Sequence, residues 1–410
     1  MRRVAVTGIG LVSPLGHDAT EVFEAARTGR SGIHRLQIAG AHRLLAPLAA
    51  TVQFDGAAHF RPPQFRLLDR VSQFAVVAAR RALADAGCQL SDAERERAGV
   101  FVGTGMGGIL SIDDGYQTLY GENSDRIQPM MILQGMHNAP AAWIGIENGW
   151  RGPNLTYSTA CSSSSVAIGE AWLRLACGAT DMAIAGGAEA PLSLGSLKAW
   201  EVMHTLASED AEDAARSCKP FSRNRSGMVL GEGAAFVVLE PWERAMARGA
   251  AIHGELLGYG LTTDAGHIVR PSVDGQAAAM SAALAAAGIA ADEVDAINAH
   301  GTGTQANDVA ETAAIKRVFG ARASQIPISA TKAMHGHLLG ATGALEFVLS
   351  LLALHHGVAL PTLHLDVPDP QCDLDYVAHA ARAGAAGRTM LSNSFAFGGT
   401  NAVLAVRAVN

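Results

Sequence analysis

The stretch of sequence that decides the fold spans residues 154–185 and reads NLTYSTACSSSSVAIGEAWLRLACGATDMAIA. Asn154–Ser158 is strand-like, Ser165–Ala176 has a helical pattern, and Met182–Ala185 is again strand-like. This alternation is typical of an α/β protein with buried sheets. Cys161 lies in the small-residue segment between the first strand and the helix.

The same alternation continues in both directions along the chain. Further strands are predicted at Val4–Thr7, Gly99–Gly103, Ala235–Leu239, His253–Leu261, Ala296–Ala299, Ile326–Ser329, Met390–Ser392 and Ala402–Val406, and further helices at Val71–Ala86, Gln276–Ala287, Val309–Phe319 and Gly343–His355. A chain of 410 residues exceeds what one hydrophobic core usually serves, so we expect two core regions. The charged, Ala-rich segment Glu240–Ala250 places the boundary between residues 1–248 and 249–410.

Composition excludes several classes of function. Hydrophobic residues make up 49% and charged residues 17%, which is a globular composition. The net charge of -7, without a dense Lys/Arg stripe, argues against nucleic-acid binding. The longest near-apolar stretch, residues 277–291, is too short to span a bilayer, and the N-terminal apolar run is broken by Gly8 and Gly10. We therefore expect a soluble protein that does not bind membranes.

The cysteines indicate neither disulfides nor a metal site. The chain has five, an odd number with irregular spacing and no CxxC pair: Cys88, Cys161, Cys177, Cys218 and Cys372. Disulfide frameworks and zinc sites need regular, paired spacing. We predict no metal and a reducing, cytoplasmic location.

Cys161 is a candidate nucleophile. It lies at or near a helix N-terminus, where the helix dipole and free N–H groups lower a thiol pKa. The small residues around it leave room for a substrate. The alternative from the residues alone is a buried structural cysteine, the usual fate of a free one.

Two histidine-bearing segments follow in the second half. Residues 298–308 place His300 in a Gly/Thr-rich loop after a strand, and residues 329–337 end in His335-Gly336-His337 with Lys332 close by. No GK[ST] follows a glycine-rich loop and no HExxH occurs, which excludes a Walker loop and a common zinc motif. Imidazoles beside a glycine turn and a cation suit hydrogen-bond donation. Structural histidines and a solvent-exposed lysine remain the alternatives.

The last segment, residues 393–401, carries Phe395 and Phe397 before a Gly-Gly turn. Backbone N–H groups in such a turn can form half of an oxyanion hole. The alternative is a simple chain reversal between two strands. Each of the four segments is a moderate signal by itself, and their joint occurrence in this order is a strong one.

Together these segments resemble an elongating β-ketoacyl-acyl-carrier-protein synthase, the type II enzyme of fatty-acid and polyketide assembly. The resemblance covers essentially the whole chain. It rests on residues 4–10, 103–105, 159–161, 186–189, 220–222, 231–233, 299–302, 336–337 and 397–401. It implies a thiolase-type five-layer αβαβα fold of two similar halves that works as a dimer.

The resemblance also implies a role for individual residues. Cys161 accepts the acyl group, with its own N–H and that of Phe397 holding the oxyanion. His300 and His337 donate hydrogen bonds to the malonyl thioester carbonyl. Lys332 matches a buried lysine of the family, and Glu346 is expected to pair with it.

The same resemblance implies supporting or substrate-binding roles for further residues. Asp308 supports the His300 loop, and Thr302 and Thr304 contact the phosphopantetheine arm. Met106 matches the floor of the acyl pocket, and Phe395 belongs to the substrate-binding set. Phe397 also matches the gating aromatic between the acyl and malonyl sites.

The implied reaction is a decarboxylative Claisen condensation of the acyl group on Cys161 with malonyl thioester, giving a 3-oxoacyl product. Both substrates are carried on the phosphopantetheine arm of acyl carrier protein, and no cofactor is bound. The carrier is one implied partner. The other is a second subunit, in a homodimer or in a heterodimer with a related ketosynthase or chain-length factor.

His335 and Arg270 stand where we expect small residues. They favour a specialised polyketide-type pathway over housekeeping fatty-acid synthesis.

Three rival functions are weighed. A non-catalytic chain-length-factor-like subunit typically loses the nucleophile, whereas Cys161, His300, His337 and Lys332 are all present here. A thiolase needs a second catalytic cysteine, and Cys372 lies in a Pro/Asp-rich segment that does not fit. A starter-unit synthase uses Cys-His-Asn, and the third position here is a histidine.

Overall fold

A computed structural model describes residues 1–409. Its strands are β1 Val4–Val12, β2 Ile33–Arg35, β3 Leu48–Ala50, β4 Ala98–Gly103, β5 Asn154–Tyr157, β6 Met182–Glu189, β7 Gly233–Pro241, β8 Gly254–Thr263, β9 Ala296–Asn298, β10 Ile328–Ser329, β11 Val358–Ala359, β12 Arg382–Ala383, β13 Thr389–Phe395 and β14 Thr400–Arg407. Its α-helices are α1 Ala19–Arg27, α2 Pro62–Phe65, α3 Arg70–Ala86, α4 Asp92–Arg95, α5 Ile109–Tyr116, α6 Met131–Gly135, α7 Ala139–Asn148, α8 Ser163–Ala176, α9 Leu194–Val202, α10 Trp242–Ala247, α11 Val273–Ala287, α12 Gln305–Phe319, α13 Lys332–His335 and α14 Thr342–His356.

The sheet shows that the two halves share one topology. The strand order is β10-β9-β13-β14-β8-β1-β7-β6-β4-β5, and it divides in the middle into two sets of five strands. In each set the three outer strands are parallel and the next two pair antiparallel. The sets meet where Val4–Val6 pairs with residues 254–256. The expected similarity of the halves is therefore confirmed.

Helices cover both sets of strands and also separate them. Helix α3 packs on the outer face of β1 and β7, and α11 packs on the outer face of β8 and β14. Between the two sets lie α8 and α14, which contact each other and strands of both halves. The order of layers is thus helix, sheet, helix, sheet, helix, which confirms the thiolase-type αβαβα architecture.

Small residues let the two central helices approach closely. A Cβ atom built on Gly343 would lie 2.1 Å from Ser165 Oγ. The Ala344 N–H donates to Ser164 Oγ at 2.9 Å, and the Ser165 and Ser394 hydroxyls are hydrogen-bonded at 2.8 Å. The run of serines after Cys161 is therefore a packing surface with satisfied hydroxyls.

Within residues 1–409, one helical segment is long and apolar enough to cross a membrane by length and composition. It spans Leu339–His356, with a mean hydropathy of 1.3, and 89% of it is buried inside the protein. The segment includes α14, so its apolar character serves the central layer of the core.

Candidate active site

The sequence-predicted nucleophile and two histidines meet in one cavity of about 420 Å³, which Cys161, His300 and His337 line together with Phe395 and Phe397. The Cys161 sulfur and a ring nitrogen of each histidine all lie within 4.8 Å of one another. The two imidazole rings are 5.5 Å apart between centroids and nearly perpendicular, at 82°. The fold thus brings both halves of the chain to one reacting point.

Cys161 owes its position to an irregular turn. Ala160 has a φ of 50°, in the left-handed region, and a single 3₁₀ turn over Ala160–Ser162 leads into α8. The turn leaves Cys161 only 5% exposed, at the base of the cavity.

The thiol of Cys161 does not have the lowered pKa expected from its helix start. Burial raises the pKa to about 11, although the charge of Lys332 and the backbone N–H of Phe397 lower it. Loss of solvation around a buried sulfur outweighs the favourable dipole and hydrogen bonds. That prediction was wrong, and the resting residue is a neutral thiol at physiological pH.

His300 is held by a carboxylate that the sequence analysis missed. The backbone N–H groups of His300 and Gly301 donate to the two oxygens of Glu311 at 2.8 and 2.9 Å. Asn393 Nδ2 donates to the same carboxylate at 3.1 Å. Glu311 is completely buried on α12. A carboxylate on the buried face of an Ala-rich helix was the signal that could have found it.

Lys332 and Glu346 form a buried pair behind His300. Lys332 Nζ lies 2.7 Å from Glu346 Oε1 and 3.3 Å from His300 Nδ1, and it also donates to the His300 carbonyl. Both side chains are completely buried, which excludes the solvent-exposed alternative for Lys332. Burial raises the pKa of Glu346 to about 7, although Lys332 lowers it.

His337 presents one free ring nitrogen. Its Nδ1 is 2.8 Å from Thr342 Oγ1, and its Nε2 is buried without a hydrogen-bond partner among the described residues. Burial, and then the charge of Lys332, lowers the pKa of both His300 and His337 well below the usual range. Both imidazoles are therefore neutral, and each can donate one hydrogen bond.

Asp308 and the two threonines shape the loop that follows β9. Asp308 accepts a hydrogen bond from the Phe221 N–H at 2.8 Å and lies 3.7 Å from Arg225 Nε. The hydroxyls of Thr302 and Thr304 are 2.8 Å apart, and both residues line the cavity. Asp308 thus anchors the base of the loop, while the threonines face the space that a substrate would occupy.

The predicted substrate-binding residues divide between two places. Phe395 lies 6.1 Å from His300 between ring centroids, and Phe397 stacks on Trp200 at 6.1 Å. Met106 does not line this cavity; it packs half-buried, with Trp200, against an adjacent cluster around Leu192 and Leu197. Trp200, which the sequence analysis did not single out, therefore joins the Phe397 segment to the Met106 region.

The spacing of Cys161, His300 and His337 would also be compatible with a metal site. Three side chains with ligand atoms within 4.8 Å could approach one ion. However, the Lys332 ammonium lies 3.3 Å from His300 and would repel a divalent cation. The arrangement fits acyl chemistry better, because a sulfur nucleophile is surrounded by neutral hydrogen-bond donors.

Fold and site together define an acyl-transferring enzyme. Two family models match the chain: the β-ketoacyl synthase N-terminal domain over residues 1–245 and its C-terminal domain over residues 253–366. The chain therefore belongs to the β-ketoacyl synthase family. It is a condensing enzyme, and the family expected from its motifs is confirmed.

Individual relatives extend the similarity over the whole chain. Nodulation protein E of Rhizobium meliloti (strain 1021) is 43% identical over 408 residues, with 100% of both chains covered. The 3-oxoacyl-(acyl-carrier-protein) synthase 2 of Coxiella burnetii is 40% identical over 414 residues, covering 100% of this chain and 99% of the relative. A solved structure described as the ishigamide ketosynthase/chain length factor has a TM-score of 0.93 at 33% identity, with full coverage of both chains.

Proposed function

We propose that the protein condenses an acyl group, held as a thioester on Cys161, with a malonyl thioester that loses carbon dioxide, giving a 3-oxoacyl thioester. The observation that carries this proposal is the convergence of the Cys161 sulfur with ring nitrogens of His300 and His337 within 4.8 Å, at a cavity reached from solvent.

In the first half-reaction Cys161 takes the acyl group from a thioester. The sulfur attacks the thioester carbonyl, and the backbone N–H groups of Cys161 and Phe397 stabilise the oxyanion that forms. The same two N–H groups favour the thiolate and lower the pKa of Cys161, against the larger effect of burial. The thiol proton finishes on the departing sulfur of the donor, so this step needs no external acid.

In the second half-reaction the two imidazoles stabilise an enolate. Lys332 donates to His300 Nδ1, and the Thr342 hydroxyl can donate to His337 Nδ1, which leaves a proton on Nε2 of each ring. These protons are donated to the malonyl thioester oxygen as carbon dioxide leaves. The carbanion attacks the acyl thioester, and Cys161 departs as a thiolate that takes up one proton. Neutral donors suit an oxyanion that exists only transiently.

The substrate arm and the acyl chain occupy different parts of the site. Thr302 and Thr304 face the cavity and would hold the amide groups of a phosphopantetheine arm. Phe397 would act as a gate, since it lines the cavity and stacks on Trp200, which packs against the same cluster as Met106. The acyl chain would then extend towards Met106.

An acyl carrier protein is the proposed donor of both substrates, in keeping with the name of the Coxiella relative. A second subunit would cover the exposed apolar side chains of the segment around α5–α7, which include Tyr120, Ile132, Leu133, Met136 and Ile146. The similar solved structure is that of a ketosynthase/chain length factor, so a heterodimer is as compatible as a homodimer.

The pathway, location and domain division are part of the same proposal. Similarity to nodulation protein E favours specialised synthesis over housekeeping fatty-acid synthesis. We place the protein in the cytoplasm, without bound metal or cofactor. The division into residues 1–248 and 249–410 is supported by the gap between the two family matches and by the matched strand sets.

Intact-mass analysis with a panel of acyl-loaded carrier proteins tests the function. We expect a mass increase equal to one acyl group, absent from Cys161→Ala, and release of 3-oxoacyl product after malonyl carrier is added. A wild-type protein that never acquires the acyl mass would contradict the proposal.

Acyl-length profiling of Met106→Gly tests whether Met106 lines the acyl pocket, and a profile identical to that of the wild type would exclude Met106 from the pocket.

A further inference from the structure

One titratable side chain beside the active site has no part in the reaction described above. His335 is completely buried on the one-turn helix α13, three residues after Lys332. It occupies a position where the sequence analysis expected a small side chain. A buried imidazole needs hydrogen-bond partners to offset the loss of water, so its surroundings bear on its purpose.

The ring of His335 faces the Lys332–Glu346 pair. Its Nε2 is 2.9 Å from Thr331 Oγ1 and 4.0 Å from Glu346 Oε1. Among residues 1–409, Glu346 Oε2 has no hydrogen-bond partner. Lys332, His335 and Glu346 therefore share one buried pocket, directly behind His300.

Other titratable groups surround this pocket, among them the buried thiols of Cys161 and Cys218, whose pKa values Lys332 lowers and burial raises more strongly. On the chain segment packed against α13, Glu232 is paired with Arg70 at 2.7 Å. From α12, Glu311 acts on Glu346 by charge repulsion, and His337 lies two residues beyond His335. His335 itself is neutral, because burial and the charge of Lys332 lower its pKa to about 3. It can act as a dipole and a space-filling group but not as an acid.

We propose that His335 is a positioning residue: its ring fills the pocket beside the Lys332–Glu346 pair, excludes water from it, and thereby holds Lys332 against His300 Nδ1 for the condensation half-reaction. The proposal rests on the function proposed above. The chain of contacts runs from His335 through Glu346 and Lys332 to His300, with distances of 4.0, 2.7 and 3.3 Å.

The proximity of His335 to Glu346 is expected to affect proton binding by the Glu346 carboxylate. A proton on His335 Nε2 points the positive end of the N–H dipole towards Thr331 and the Glu346 carboxylate, which favours the ionised carboxylate. Ionised Glu346 in turn keeps Lys332 in place beside His300. Removing the nitrogen should raise the pKa of Glu346 further than burial already does, so the low-pH limb of condensation moves to higher pH.

Three full-length variants separate the contribution of the His335 ring nitrogens from that of packing on α13. His335→Phe keeps the ring volume and removes both nitrogens, whereas His335→Gln retains a donor near the Nε2 position. Met334→Ala, also completely buried on α13, removes packing from the same helix without facing the pair. Acylation of Cys161 by a small acyl thioester and condensation by the pre-acylated enzyme are measured separately across the pH range.

We expect His335→Phe to slow condensation about ten-fold more than acylation and to raise the condensation pH midpoint by about half a unit. His335→Gln should recover most of both effects, and Met334→Ala should lower Tm without moving the midpoint. Equal slowing of both half-reactions by His335→Phe, with an unmoved midpoint, would overturn the inference and leave a packing role. A wild-type enzyme that is not acylated would instead refute the proposed function.

Discussion

The two central helices, α8 and α14, each follow a 3₁₀ turn that starts at a residue with positive φ, but the two turns have different roles. Before α8, Ala160 has a φ of 50° and opens a 3₁₀ turn; before α14, Leu339 has a φ of 43° and opens another. The next residue is Cys161 in the first case and Gly340 in the second. The matched topology of the halves thus extends to the local turn.

What differs is the space around the residue after the turn. Cys161 opens onto a cavity, and the backbone N–H of Phe397 lowers the pKa of its thiol. Gly340 donates its N–H to Glu189 at 2.9 Å, and a Cβ atom there would lie 2.4 Å from the Gly105 nitrogen. One turn presents the candidate nucleophile to the cavity, and the other closes the packing between the two halves. A helix start by itself therefore does not create a reactive site.

The largest expected effect comes from removing the side chain that distinguishes the first turn. Cys161→Ala should reduce condensation at least about a thousand-fold, because no thioester can form on the enzyme. Steady-state product formation and intact mass measure it. His253→Ala, at a half-buried position that does not line the cavity and is paired with Asp85, is the control and should retain near wild-type activity.

Adding a side chain at the second turn should break the packing instead. Gly340→Ala places a methyl group against Gly105 and Glu189, and we expect the free energy of unfolding to fall by about 3 kcal/mol. Chemical denaturation measures it. Gly121→Ala, whose Cβ would meet only one flexible side chain at 3.5 Å, is the matched control. Equal stability of the two variants would show that the second turn has room to relax.

The reactivity of the thiol tests how far the first turn activates its cysteine. With a pKa of about 11, the thiolate fraction of Cys161 grows with pH throughout the working range. Alkylation by iodoacetamide should accelerate about ten-fold per unit from about pH 7 to about pH 9, without a plateau. Peptide mapping assigns the rate to Cys161. A plateau below about pH 8 would mean that the turn stabilises the thiolate more than burial destabilises it.

The smallest expected effect concerns the backbone strain that both turns share. Ala160→Gly relieves the strain of the left-handed φ but increases the conformational entropy of the unfolded chain. Because the two effects oppose each other, the free energy of unfolding should change by about 1 kcal/mol or less. Thermal unfolding measures it, with acylation of Cys161 as the check on geometry. A large loss of stability would indicate that the Ala160 methyl group contributes packing as well as the turn.

The predicted elements and the observed ones agree where the hydrophobic pattern is strong. Strands β1, β4, β6, β7 and β8 and helices α3, α8, α11, α12 and α14 all lie at the predicted positions, with ends displaced by a few residues. Residues 109–148, which form α5–α7, were not predicted. Many apolar side chains of this segment, including Tyr120, Ile132 and Ile146, are exposed in the single chain, and only α7 buries several residues, so the helical period is weak.

The sequence by itself determined the fold class and the order of the halves, and it predicted the Cys-His-His set, because motif residues and buried strands are local patterns. Only the tertiary structure decided the pKa shifts and the contacts of those residues. Burial set the direction of the Cys161, His300 and His337 pKa shifts, and opposed the dipole argument for the thiol. Glu311, Trp200 and the His335 pocket emerged only when distant segments met. Solvation and packing depend on neighbours that are remote in sequence, and a linear pattern does not record them.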